Sequence, residues 1–253
     1  MLHLNYKNEI NLDAFERFDT NKWEDIENRI SYKLMSKKIF DASENDNIIH
    51  KDCMDLTKVF IVSELTKDRK NIKSYSLKKE DLERFEKTEE DIYKVAEENM
   101  RCDQKKRIKT LKEDILSHEQ MYPLMQLIEN LTFNGPNALI NDSEDGIDNV
   151  LIITNKYNVF GASYMLDFYT LREIYQRMNS NFYILPTSIH QFMCVSSNYV
   201  IQDKNIFEAE DDLLDMLFNV NNQIKNAEDI LSYRIYNYIH DDGERLFSIK
   251  QQL

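Results

Sequence analysis

The residues of this chain that could do chemistry gather in one apolar run, FYILPTSIHQFMCV, from Phe182 to Val195. Behind Pro186 it holds two hydroxyls (Thr187, Ser188), an imidazole (His190) and a thiol (Cys194). A thiol hydrolase needs its histidine within hydrogen-bond reach of the cysteine, so that the thiolate can form. Cys194 follows His190 by four residues. On a strand that spacing puts both on one side but beyond contact, so Cys194 reads as an inert buried thiol. A serine hydrolase would pair Ser188 with His190 and an acid such as Asp167. No G-x-S-x-G elbow surrounds Ser188, and a serine beside a proline turn commonly satisfies backbone groups. The third option is a metal or acid-base site, with His50 of IIHKDC meeting His190 near Asp52 or Asp55. His190, Ser188 and His50 are therefore the catalytic candidates, and the simpler expectation is strand, proline turn, strand. His240-Asp241-Asp242-Gly243 reads as a turn.

The elements that must position these groups are legible in the hydrophobic periods. Glu24 to Arg29 reads as a helix behind Asn21, with Glu24 as capping partner. Ile30, Tyr32 and Leu34 then alternate as in a half-buried strand, and TKVFIVSEL (Thr57 to Leu65) and Ile72 to Leu77 supply two more for the same sheet. Thr88 with Asp91 marks a helix start, followed on one face by Ile92, Val95, Ala96 and Asn99. Ile108, Leu111 and Ile115 fall at helical spacing, with Lys105, Lys109 and Lys112 as a solvated neighbouring face.

VLIIT is a buried strand, and Thr170 with Glu173 is expected to cap a helix carrying Leu171, Ile174, Tyr175 and Met178. Phe182 to Leu185 is expected to be a strand ended by Pro186, with Ile189 to Val195 the next. Glu208 to Ile224 should be helical, Leu213, Leu214, Leu217 and Val220 inward and Glu208, Asp211, Asp212 and Asp215 outward.

NGPNALINDSEDGIDN, Asn134 to Asn149, holds two of the four glycines and is the candidate lobe boundary of a chain otherwise read as one domain over residues 1–253. Its Asn141, Ser143, Asp145 and Gly146 hint at a calcium loop, but Ile152 stands where the bidentate glutamate belongs.

Composition narrows the function classes. With 42% hydrophobic and 11% aromatic residues the chain can bury a core, and 30% charged residues with a net charge of −13 give it an acidic surface. Direct nucleic-acid binding, which needs cations to displace counterions, is not expected. Neither GxGxxG nor GxxxxGK[ST] occurs, and the three cysteines form no CxxC, so no cofactor and no metal is expected. No apolar run is long enough for a membrane span, and Lys7, Glu9, Asp13 and Glu16 interrupt any signal sequence, so the expected location is the cytoplasm, without membrane contact. From Asp203 to Leu253 there are eleven acids against five bases. Such a ridge could imitate a phosphate backbone toward a basic protein.

Four segments, in order, carry a resemblance: IIHKDCMDLTKVFIV (Ile48 to Val62), EEDIYKVAEENM (Glu89 to Met100), VLIITNKYNVFGASYML (Val150 to Leu166) and NFYILPTSIHQFMCV (Asn181 to Val195). Together they resemble an uncharacterised bacterial family, a domain of unknown function of Gram-positive gut anaerobes often encoded near mobile elements. The clearest signature is Asn155, Gly161 and Ala162, then Pro186, Thr187, Ser188 and His190. The resemblance implies an architecture and a mobile-element setting, and no established activity; Gln191 stands where an acid usually follows the histidine.

The expected fold is α+β, a mixed and largely antiparallel sheet with helices packed on one face, divided into two lobes near residues 134–149. The expected function is non-enzymatic: an interaction module that binds a protein with a basic surface through Glu208, Asp211, Asp212 and Asp215. A mobile-element inhibitor of a nucleic-acid-handling protein is its specific form. The alternative is a small hydrolase or metal-assisted enzyme built on His190 and Ser188. The sequence sets no oligomeric state.

Overall fold

The computed structural model describes residues 22–43, 45–65, 72–103, 106–110, 149–201, 205–240 and 245–251. The β-branched run TKVFIV builds the first sheet. It lies in β3 (Leu56–Leu65), which is long enough to serve two partners along one edge. β2 (His50–Cys53) pairs with its first half, His50 opposite Val59, and β4 (Ile72–Ser76) with its second, Ser76 opposite Ile61. β1 (Ile30–Ser36) takes the other edge, Tyr32 opposite Phe60. All three pairings are antiparallel.

Three helices accompany this sheet: α1 (Lys37–Ala42), α2 (Lys79–Phe85) and α3 (Glu89–Arg101). Thr88 and Asp91 start α3 as a reciprocal cap, Thr88 N–H donating to the Asp91 carboxylate at 2.8 Å and Asp91 N–H to Thr88 Oγ1 at 3.2 Å. Ile92, Ala96 and Met100 form its buried face, and Tyr93 stacks on Phe60 at 4.6 Å. The helix expected over Glu24 to Arg29 is instead two 3-10 turns, Trp23–Asp25 and Glu27–Arg29. So short a segment does not repay α-helix nucleation, and its Glu27 carbonyl accepts from the Asn99 amide of α3 at 2.6 Å.

The second sheet has, among the described residues, six antiparallel strands in the order β10-β9-β7-β8-β6-β5. They are β5 (Lys106–Thr110), β6 (Val150–Asn155), β7 (Phe182–Ser188), β8 (Gln191–Ser196), β9 (Arg234–Ile239) and β10 (Arg245–Gln251). β5 corrects a helical reading. Ile108 belongs to an edge strand opposite Ile153, where period 2 rather than 3.6 governs; Lys105, Leu111, Lys112 and Ile115 lie outside the described residues. β7 does not stop at Pro186 either. It runs through the proline to Ser188, and the register shifts between Leu185 and Ser188 because proline has no N–H for the ladder.

Alternation sorts the strands of this sheet between two clusters. Leu151, Ile153, Ile184, Phe192, Cys194 and Tyr236 join the cluster that also holds Ile30, Leu34 and Phe60 of the first sheet. Ile152, Tyr183, Leu185, Met193, Val195 and Ile235 pack against Leu213, Leu214, Met216 and Leu217 of α6 (Ile206–Asn221). Each large apolar side chain so buried contributes roughly 1.5–3 kcal/mol. Two further helices are α4 (Phe168–Met178) and α5 (Ser197–Val200). α4 is capped by Asp167, not Thr170: the Asp167 carboxylate accepts from Thr170 N–H at 3.0 Å and Thr170 Oγ1 at 2.5 Å. The chain is therefore α+β with antiparallel sheets, as its patterning implies. Of the candidate lobe boundary, residues 134–148 lie outside the described residues.

Candidate functional site

The hydroxyl-histidine motif folds into a knot of close backbone contacts. Asn155, ending β6, holds the following loop with both amide atoms: Oδ1 accepts from Tyr157 N–H at 2.9 Å and Val159 N–H at 3.3 Å, and Nδ2 donates to the Val159 carbonyl at 2.6 Å. The loop turns through Phe160 at φ 58° into the 3-10 turn Gly161–Leu166. Gly161 lies against the β7–β8 turn so tightly that a Cβ would stand 2.6 Å from the His190 carbonyl oxygen and 2.6 Å from Thr154 Cα. Thr154 Oγ1 donates to the His190 carbonyl at 3.0 Å, and Ala162 N–H to the Ile189 carbonyl at 3.4 Å.

His190 itself is engaged at both ring nitrogens. Phe160 N–H donates to Nδ1 at 3.2 Å, which leaves the proton on Nε2, 3.7 Å from Asp229 Oδ1. Its ring stacks on Phe160 at 5.8 Å. Burial lowers the His190 pKa; Asp229 opposes that shift and Lys33 adds to it. Ser188 does not meet the ring as a nucleophile meets its base; its Oγ accepts from the His190 backbone N–H at 3.1 Å. Thr187 Oγ1 donates to the Gln191 carbonyl at 3.2 Å. Asn155, Gly161, Thr187, Ser188 and His190 thus make the contacts that lock two loops together.

The other candidates are dispersed. His50 sits on the first sheet with Nδ1 2.8 Å from the Ile48 carbonyl and its ring 4.6 Å from that of Phe40. Asp52 accepts from Thr57 Oγ1 at 2.9 Å and from Lys37, which holds its carboxyl below the usual range. Asp55 crosses to the second sheet, accepting from Ser232 Oγ at 2.6 Å and the Tyr236 hydroxyl at 2.8 Å. Cys194 is fully buried, and burial pushes its thiol well up. His240 follows β9 with its ring 4.2 Å from that of Tyr175; Asp241 and Asp242 lie outside the described residues. Among the described residues no group of three His, Cys, Asp or Glu side chains is placed to hold a metal ion.

The acidic candidates do share one surface. Asn205 caps α6, Oδ1 accepting from Phe207 N–H at 3.0 Å and Glu208 N–H at 3.1 Å. Opposite its buried face, Glu208, Asp211 and Asp215 are exposed and Asp212 half-exposed. Sequence reasoning missed the aromatics beside them: Phe207 is 69% exposed and Phe218 40%. Eleven residues apart, they are about three helical turns apart on one stripe, with Asp211 and Asp215 between.

Tertiary packing also opens two clefts. One, of about 580 Å³, is lined by Arg29, Asp103, Arg107, Lys156, Tyr157 and Tyr164 among others. Tyr164 donates its hydroxyl to Asp103 Oδ2 at 2.5 Å, and burial together with that carboxylate pushes its pKa far up. The other, of about 610 Å³, lies around Met54, Leu166, Phe168 and Tyr169, and Tyr32 and Met100 line both. No motif announces either cleft, because their residues come from elements distant in the chain.

Comparison with known proteins gives a family and nothing finer. Residues 2–240 match a family described as Family of unknown function (DUF5688), and the chain belongs to that family. No curated protein and no solved structure matches it significantly. Among the described residues no helix is long and apolar enough to cross a membrane.

Proposed function

We propose that this member of a family of unknown function is a protein-binding module whose contact surface is the outer face of α6. The observation that carries the reading is the exposure of Phe207 and Phe218 on a helix stripe that also bears Asp211 and Asp215. Interfaces concentrate their energy in a few aromatic anchors, while surrounding charges choose the partner and speed encounter. The complementary partner presents an apolar pocket rimmed by lysine and arginine. Proteins that handle nucleic acids carry such basic surfaces, and an inhibitor of one of them, encoded on a mobile element, is the specific form of the proposal. The acidic chain would occupy the site that phosphates otherwise fill. His190 and Ser188 have structural partners that account for them, so the module reading asks no chemistry of that turn.

The test is a pull-down from host lysate under nuclease treatment, repeated with two variants. A stoichiometric partner held by the natural chain should be lost with Phe207→Ala, and weakened at least tenfold when Asp211, Asp212 and Asp215 are all changed to lysine. Retention of the same partner by both folded variants would remove α6 from the interface.

A further inference from the structure

The cleft of about 580 Å³ is electrostatically out of character with the chain around it. In a protein of net charge −13, its lining among the described residues carries Arg29, Arg107 and Lys156 against one carboxylate, Asp103. That carboxylate accepts from the Tyr164 hydroxyl, and Arg29 pairs with Glu64 at 3.1 Å. Arg107 and Lys156 differ. Among the described residues the Arg107 side chain donates only to the Lys106 carbonyl, at 3.3 Å, and Lys156 Nζ lies 4.8 Å from the centre of the Tyr157 ring; neither meets a carboxylate. Two cations with no carboxylate partner among the described residues give the cleft a local positive field.

Register explains how the two cations come together. Arg107 pairs with Thr154 across β5 and β6, and Lys156 follows Thr154 by two residues, one step past the strand end. Lys156 stands in the turn that begins there, and both residues line the same cleft, so their long side chains can converge on one anion. Tyr157, also in the lining and half-buried, offers a ring beside them. The volume is that of a pocket for a small organic ligand.

We propose that this cleft binds a small organic phosphate with an aromatic ring, its phosphate held between the Arg107 guanidinium and the Lys156 ammonium and its ring against Tyr157. Guanidinium supplies a planar two-pronged donor and ammonium a point charge, the usual pair for phosphate. The ring contact distinguishes this ligand from free phosphate. The site is separate from the α6 face, so it stands or falls independently of the protein-binding reading.

The experiment is calorimetric titration of the full chain with phenyl phosphate, adenosine monophosphate and inorganic phosphate. At least one of the two ring-bearing phosphates should bind saturably and several-fold more tightly than inorganic phosphate. Arg107→Ala and Lys156→Ala should each weaken binding about tenfold, Tyr157→Ala should remove the preference over inorganic phosphate, and raised salt should weaken all binding. Lys38→Ala, which removes an exposed lysine not lining the cleft, should leave affinity unchanged. Absence of saturable binding by both ring-bearing phosphates, or equal affinity in the Arg107, Lys156 and Lys38 variants, would overturn the proposal.

Discussion

Replacing Gly161 with alanine tests the knot around His190 at its tightest point. The new Cβ would stand 2.6 Å from the His190 carbonyl oxygen, 2.6 Å from Thr154 Cα and 2.8 Å from Thr154 Oγ1. Ordinary carbon contacts lie at roughly 3.5–4.0 Å, so about 1 Å of separation must be recovered. Two of the three obstructing atoms are backbone, which no rotamer change can move. Overpacking of this kind costs about 1–3 kcal/mol. The movement also stretches the Phe160 N–H to His190 Nδ1 and Ala162 N–H to Ile189 carbonyl bonds, adding about 1 kcal/mol. We expect a total near 3 kcal/mol, read as roughly 6–12 °C in Tm for a chain of this size, or as a lower urea midpoint at constant slope. The decisive control is Gly161→Ala combined with Thr154→Ala. This removes the Oγ1 contact and leaves both backbone contacts, so it should not restore stability. Recovery in the double variant would show that the hydroxyl, not the backbone approach, makes glycine necessary. A Gly161→Ala protein as stable as the natural chain would refute the steric argument outright.

Two more predictions follow from buried polar groups. His190 has its folded pKa pushed below 6.5 by burial, so the unfolded chain binds more protons once the pH drops under that value. Its contribution is complete above pH 6.5 and is lost as pH falls through the folded pKa; unfolding free energy measured between pH 7 and 5 should therefore decline, and His190→Gln should flatten that decline. An unchanged slope in the variant would assign the effect to other groups. The Tyr183 hydroxyl, its pKa pushed up to about 12 by burial and Glu210, is buried with no hydrogen-bond partner among the described residues. Tyr183→Phe removes a desolvated polar group and should stabilise by about 1 kcal/mol in urea unfolding, where a loss would point to a bridging water.

β3 was legible because a β-branched run has one good use, and α3 because Thr88 and Asp91 announce its start. Thr170 and Glu173 have the letters of a cap, yet Asp167, three residues earlier, accepts the free N–H groups and Thr170 becomes a buried first-turn residue. Period alone misled at Ile108, where one isoleucine satisfies either repeat and sheet pairing decides. Pro186 looked like a terminator because its effect on the ladder is local, and a register shift absorbs it. The acidic face of α6 was readable from spacing, but the exposure of Phe207 was not, since a phenylalanine in an amphipathic run is ordinarily core. Arg29, Arg107 and Lys156 could not be joined from the sequence at all: β5 must pair with β6 to bring Arg107 toward Lys156, and the first sheet must approach to add Arg29.

The bridge from Asp55 to Ser232 and Tyr236 closes over 177 and 181 residues, and Tyr32 reaches the Ser163 carbonyl across 131. By contrast, the first sheet is assembled from strands that follow one another closely. During synthesis the N-terminal sheet can therefore pair long before its covering is complete. α3 covers part of that sheet early, Tyr93 stacking on Phe60, but the cluster that holds Tyr32, Leu34 and Phe60 is completed only by residues of β6 to β9, which emerge later. Contacts of such long sequence separation form late and slowly, and an uncovered apolar sheet face invites association with other nascent chains. The same arrangement that joins both sheets in one cluster of buried residues should therefore make yield in cells respond to translation rate, measured as soluble protein from fast and slow codon versions of the gene.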